Sequence, residues 1–279
     1  EWKQGRLKRG NLHLELVDLP GTYSLTAYSD EELVARDYLL YEAPDVVVDV
    51  VDAANLERNL YLTTELLEIG RPLIVVLNMS DVARDRGLVI DAQRLAERLG
   101  VPVVQAVGNK GVGMTDLVDL IVQLTTQADD MPLSANVCRP PFMATGPASG
   151  QVTGLVTEGE PARVDYGPRA EALLSRLEDL LPPCDYRRWL AVKLLEGDEK
   201  VFESIDSPDV RQAVAEIVGR FAQGEPEPDT VLAGLRYDFI GDVCREVCRV
   251  PEHATITRSD RVDRVAMHPV FGIPIFLAL

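Results

Sequence analysis

Between Leu12 and Gln127, short aliphatic and β-branched runs alternate with longer amphipathic stretches, and that alternation restricts the fold more than any other feature of the chain. The spacing predicts strands over Leu12–Asp18, Val46–Asp52, Leu73–Asn78 and Val101–Val107. It predicts helices over Leu56–Ile69, Asp91–Leu99 and Thr115–Thr126. Strands that alternate with helices imply a mostly parallel sheet covered by helices on both faces, an α/β fold. Upstream, Trp2–Leu7 can pair with Leu12–Val17 as an antiparallel hairpin turned by Lys8-Arg9-Gly10-Asn11. From 128 to 166 Pro, Gly, Ser and Thr dominate without apolar period, which reads as a linker or mobile insertion. Four helical patterns follow, Arg169–Leu181, Tyr186–Leu195, Asp209–Phe221 and Thr230–Arg249, with no strand between them. The organisation expected is therefore a sheet domain over 1–127, the segment 128–166, a small all-α domain over 167–257 and a terminal segment over 258–279.

With 279 residues and 46% hydrophobic content the chain can build a proper core. Its 28 Lys plus Arg against 45 Asp plus Glu give a net charge of −17, which repels nucleic-acid phosphate, so nucleic acid is excluded as a partner. Cys138, Cys184, Cys244 and Cys248 are scattered, not framed, and read as free thiols of a reducing compartment. The chain opens on Glu1 and closes on an apolar run after Gly272, and both ends read as cut.

Three elements can carry chemistry. Asp18-Leu19-Pro20-Gly21, at the end of an apolar-alternating strand, matches the Asp-x-x-Gly element of GTP-hydrolysing domains. There the carboxylate of Asp18 would hold Mg²⁺ and the Gly21 N–H would approach the terminal phosphate. Asn78-Met79-Ser80-Asp81 stands where guanine-binding proteins keep Asn-Lys-x-Asp. The Asp81 carboxylate can accept from guanine N1–H and the exocyclic amine together, and the Met79 thioether can cover the base in place of lysine. The third element is Gly108-Asn109-Lys110-Gly111-Val112-Gly113-Met114-Thr115. Gly108 and Gly113 have the spacing of a phosphate loop and Thr115 its magnesium-ligand position, but Met114 replaces the lysine such a loop needs. The competing reading places Gly108, Asn109 and Lys110 in the loop that meets guanine O6 and frames the base. No Gly-x-x-x-x-Gly-Lys-Ser/Thr sequence occurs upstream of Asp18.

The phrases at 17–25, 50–63 and 78–81 resemble the guanine-nucleotide domain of the ferrous iron transport protein B (FeoB) family. The phrase at 188–198 is similar to that family's helical domain, and 259–276 to the approach to its first membrane helix. The resemblance covers nearly the whole chain apart from 128–166. It implies a P-loop GTPase-like domain over 1–127 that lacks its phosphate-loop strand, followed by the helical domain and, over 258–279, a juxtamembrane segment with the start of a membrane span. It implies binding of GTP or GDP with Mg²⁺, with Asp18 and Gly21 on phosphate and metal and with Asn78, Met79, Asp81, Gly108, Asn109 and Lys110 around the base. It also implies GTP hydrolysis coupled to Fe²⁺ uptake by a parent transporter at the cytoplasmic side of the bacterial inner membrane, the rest of the transporter and the membrane being reached through the C-terminal end. The chain alone, without the phosphate loop and the pore, is expected to be inactive. The alternative is a non-hydrolysing regulatory or interaction module of the same fold.

The remaining candidates are weaker. Cys244 and Cys248 at i, i+4 share a helix face and could bind a soft metal, yet two ligands make no site, and core packing is the favoured role. His268 before Pro269 reads as an interfacial cap. Arg258, Arg261 and Arg264 read as the cytoplasmic flank of a span.

Overall fold

The computed structural model describes residues 3–10, 12–26, 29–129, 160–222 and 227–249. The expectations for most of 128–166, for Cys138 and for everything past Arg249, including the three arginines, His268 and the apolar run, lie outside them.

β1 (Lys3–Arg9) and β2 (Leu12–Asp18) form the expected hairpin, paired from Arg9↔Leu12 to Lys3↔Asp18. After the Asp18–Gly21 loop comes α1 (Asp30–Asp37), opened by a reciprocal capping box between Ser29 and Glu32. A π-helical turn, Tyr38–Glu42, extends it. Then follow β3 (Val47–Asp52), α2 (Leu56–Ile69), β4 (Leu73–Asn78), α3 (Ser80–Asp85), β5 (Val89–Ile90), α4 (Ala92–Leu99), β6 (Val103–Gln105) and α5 (Met114–Asp129). The second half comprises α6 (Gly167–Leu180), α7 (Arg187–Glu196), α8 (Glu199–Glu203), α9 (Pro208–Ala222), α10 (Pro228–Val247) and β7 (Cys248–Arg249). α3 and α8 have too few turns to show an apolar period, and α1 (DEELVARD), although as long as α4, carries only Leu33, Val34 and Ala35 as apolar residues, in one consecutive run, so pattern alone does not reveal them.

β3, β4 and β6 form a parallel sheet in that order. Leu73 to Leu77 of β4 are all buried, as a central strand covered on both faces must be. One face packs on α2 and α4 through Val75, Leu77, Leu60 and Leu95. The other packs on α5 through Ile74, Val76, Val104, Leu120 and Ile121. Two expectations are corrected. The strand read over Val101–Val107 is only Val103–Gln105, because Val107 turns to bridge Val112 and close a loop. The helix read over Thr230–Arg249 stops at Val247, and Cys248–Arg249 pairs antiparallel with Val89–Ile90, so the helical half does contain a strand and returns the chain to the sheet half. Cys244 and Cys248 pack partly buried against the main core, and no group of three or more metal-ligating side chains exists among the described residues. Among the same residues no helix is long and apolar enough to cross a membrane.

β2 does not pair with β3. Between them lies a cleft of about 800 Å³, walled by Glu15–Gly21 on one side and Val46–Val50 on the other. Leu16 and Val50 are 44% and 59% exposed there. Aliphatic side chains on an unpaired strand edge are suited to receiving another strand. The helical half, by contrast, packs closely on the sheet half. α7 and α10 pack on α2, α10 also on α4, and a single buried cluster runs from the sheet through α2 into the helical half.

Candidate functional site

The carboxyl ends of β4 and β6 bring two of the predicted elements together. Asn78 is the last residue of β4, and its Oδ1 accepts from the N–H groups of Met79 (2.9 Å) and Gly108 (3.0 Å). A side-chain oxygen thus clamps the two loops to each other. Met79 takes a left-handed conformation (φ 56°), uncommon for a non-glycine residue, which starts α3, and the residue is 48% exposed. Ser80 donates to Leu77 O (2.7 Å), and Asp81 Oδ1 accepts from Val82 N–H (3.0 Å). Across the gap, Gly108–Lys110 form one 3₁₀ turn. Lys110 Nζ lies 2.6 Å from Asp81 Oδ2. That hydrogen bond holds the Asp81 carboxyl below its ordinary range and the Lys110 ammonium above its own.

Of the two glycines that bound the loop, one is required by its tight closure. A Cβ on Gly108 would sit 3.4 Å from Asn78 Oδ1, an ordinary contact, so that position does not demand glycine. Gly113 has φ +81°, and a Cβ there would lie 2.3 Å from Gln105 O. Gly113 therefore serves the close approach of this loop to β6. Its spacing from Gly108 needs no phosphate to explain it, which favours the base-loop reading over the phosphate-loop reading of 108–115.

Asp18 and Gly21 are placed elsewhere, on the wall of the cleft beside β3. The loop they begin ends in a buried charged seam. Leu25, 1% exposed, donates its N–H to Glu65 Oε2 (2.6 Å), and Thr26 Oγ1 lies 3.2 Å from Lys193 Nζ. Lys193 also binds Glu65 Oε1 at 2.6 Å and Glu196 Oε2 at 2.8 Å, with Lys193 and Glu65 both fully buried. Arg236 of α10 completes the seam through Glu68 Oε2 (2.8 Å) and Glu196 Oε1 (3.1 Å). Tyr166 donates its hydroxyl to Glu68. Three carboxylates face two cations, and burial pushes the Glu68 carboxyl up, with Arg236 opposing. A second tether joins α1 to the N-terminus of α8, where Arg36 Nη1 meets Asp198 Oδ2 at 3.3 Å with both side chains buried.

None of the seam residues was singled out from the sequence. The one available signal is that Glu65 and Glu68 fall on the buried stretch of α2, and Lys193 inside Ala191-Val192-Lys193-Leu194-Leu195.

The comparisons with known proteins agree in order along the chain. A family model described as ferrous iron transport protein B matches residues 1–121, and one described as the FeoB cytosolic helical domain matches 166–249. The Fe(2+) transport protein A/Fe(2+) transporter FeoB fusion protein of Porphyromonas gingivalis is 33% identical over 291 residues, covering 99% of this chain and 31% of that protein. Among solved structures, mGMPPNP-bound NFeoB from S. thermophilus is 34% identical with a TM-score of 0.69, covering 88% of this chain and 84% of that one. The cytosolic domain of L. pneumophila FeoB is 26% identical with a TM-score of 0.68, covering 89% and 85%. The chain spans about a third of the length of the curated relatives it matches.

Proposed function

This chain belongs to the ferrous iron transport protein B family, and from that premise we propose that it is the guanine-nucleotide-reading and helical part of a bacterial Fe²⁺ transporter. The observation that carries the reading is the clamped pair of loops at the ends of β4 and β6. Asn78 fixes Gly108, and Asp81 presents a carboxylate beside them, at the strand ends where open α/β sheets hold their ligands. In this reading Asp81 accepts from guanine N1–H and N2–H, Met79 covers one face of the base, and the loop Gly108–Lys110 meets O6. Asn78 acts as a positioning residue, since its oxygen is engaged by two backbone donors. Asp18 would hold Mg²⁺ and Gly21 would face the terminal phosphate, across the cleft from β3. In the fold this chain resembles, the strand that carries the phosphate loop lies between β2 and β3, and the unpaired edges on either side of the cleft fit a further strand. Hydrolysis of GTP, its coupling to Fe²⁺ uptake and attachment to the inner membrane belong to the whole transporter. The division at 127 and 167 into nucleotide and helical domains is part of the same reading.

The 279 residues contain no Gly-x-x-x-x-Gly-Lys-Ser/Thr cradle, so their hold on nucleotide rests on the base, and affinity for GDP should stay weak. The test is base selectivity. Competition between GDP and its xanthine counterpart should favour guanine in the native chain and move toward xanthine in Asp81→Asn, because an amide donates where a carboxylate only accepts. Unchanged selectivity would remove the Asn78–Asp81 element from the site.

A further inference from the structure

Lys110 is paired with the carboxylate that the base-site reading assigns to guanine. Its ammonium lies 2.6 Å from Asp81 Oδ2, while Oδ1 accepts the N–H of Val82, so each oxygen already carries one donor from the protein and a positive charge sits on the one nearer the loop. Asp85, on the same helix α3, adds a second negative charge that favours the ammonium at this place. The backbone around the pair is fixed. Lys110 closes a 3₁₀ turn whose first residue is bound to Asn78, and Asp81 sits in the first turn of α3, so the two side chains meet without any loop having to move. Asp81 is partly shielded, with 29% of its side chain exposed, whereas Lys110 at 60% has open solvent to swing into.

We propose that Lys110 is an affinity-determining residue of the base site that acts as an internal competitor, its ammonium leaving Asp81 before a guanine edge can bind. The proposal rests on the base-site reading above. A site that is competent for only part of the time binds with its intrinsic affinity reduced by the competent fraction. The reduction falls on guanine, which needs the Asp81 carboxylate, and not on adenine, whose N1 offers that carboxylate no proton. Lys110 therefore lowers both the affinity for guanine and the margin over adenine, and its departure is a step the base must bring about.

Neutral guanosine is the probe that isolates this effect, because without phosphates its binding has little salt dependence of its own. Saturation-transfer NMR titrations of the chain with guanosine and adenosine, at low salt and near molar salt, test it. Lys110→Met should bind guanosine roughly two- to fivefold more tightly than the native chain, the range of an exposed ion pair, and should widen the margin over adenosine. Salt screens the native pair, so guanosine affinity should rise with salt in the native chain and stay flat in Lys110→Met; Lys110→Arg, which keeps the charge, should restore the rise. A second readout is chemical. Acylation of the Lys110 amine, followed by mass spectrometry, should speed up when guanosine is added, since the base frees the amine from Asp81. Guanosine binding that is equal in the native chain and Lys110→Met and flat with salt in both would overturn the role of Lys110 while leaving the base site standing. Failure of guanosine to bind any variant would overturn the base site and this proposal together.

Discussion

The cleft beside β3 and the seam between α2, α7 and α10 invert the usual distribution of residue types. On the cleft wall, Leu16 and Val50 meet solvent although they sit in strands next to the sheet core. In the seam, Lys193, Glu65 and Arg236 are fully removed from solvent although they are charged. One loop, Asp18 to Thr26, runs from the first region to the second. Its start borders an open surface, and its end is fixed by a backbone hydrogen bond to Glu65 and a contact with Lys193. The two halves of the chain are thus joined through the packing of α7 and α10 on α2 and α4. Charges that have lost water depend on one another and on the few neutral groups that reach them, Leu25 N–H, Thr26 and Tyr166, so the seam is sensitive to single changes. An exposed aliphatic edge loses little when altered, because it was not contributing burial.

The largest effect should come from breaking the seam. Lys193→Met leaves the buried Glu65 with only the more distant Arg236, whose Nη1 lies 3.9 Å from Oε1, and urea denaturation should show a loss of about 3 kcal/mol. Replacing both partners, with Lys193→Met and Glu65→Leu together, should recover part of that loss, because Glu65 is no longer a buried charge short of its partner, while the buried Leu25 N–H loses its acceptor. A single substitution that costs no more than a surface pair would show that water reaches the seam and that the contrast with the cleft is false.

A smaller effect sharpens the cleft side. Asp49 of β3 is 6% exposed, and its carboxyl accepts from Thr63 Oγ1 at 2.6 Å without a cation beside it. Burial pushes this carboxyl up to about 6, with the Thr63 bond opposing. In the unfolded chain it titrates near the ordinary aspartate value, so between there and about pH 6 the native state binds more protons, and stability falls as pH rises through that window. The penalty is complete above it and amounts to about 3 kcal/mol at most. Asp49→Asn should remove this contribution to the slope and stabilise the chain at neutral pH, as read from denaturation midpoints across pH. A pH profile that Asp49→Asn leaves unaltered would mean that Asp49 is solvated through the cleft.

The smallest thermodynamic effect belongs to the open strand edge. Val50→Lys should change stability by no more than about 0.5 kcal/mol. Light scattering should nonetheless show less self-association, because the charge blocks edge-to-edge pairing. A loss of several kcal/mol would show that Val50 is buried in solution, with the cleft closed.

How far the fold is legible in the sequence depends on the range over which each feature is decided. The bounds of α2, Leu56–Ile69, and the strand Leu73–Asn78 follow from periodicity and are found as read. Asp91 caps α4 through the N–H of Arg94, as its position before an amphipathic run implies. Cys248–Arg249 reads as helix and is a strand, because its extended form depends on Val89–Ile90, supplied from far upstream. At the candidate site, Asn78, Asp81 and the glycine loop are recognisable by residue type. That Asn78 clamps Gly108, and that Lys110 holds Asp81, is not.

Amphipathic period, turn chemistry and strand composition are local properties. They are enough to dictate a parallel sheet with helices on both faces and to mark the two loops as candidates for reading a base. The burial of Lys193 against Glu65, 128 residues apart, and of Arg236 against Glu68, 168 residues apart, was decided only by the packing of α7 and α10 on α2. A charged residue in a helix is ordinarily solvated, and what makes it stay without water is an opposite charge delivered at hydrogen-bond distance by a remote segment. The open cleft was settled in the same way, because whether an apolar strand edge is covered depends on which neighbour arrives and not on the strand's own residues.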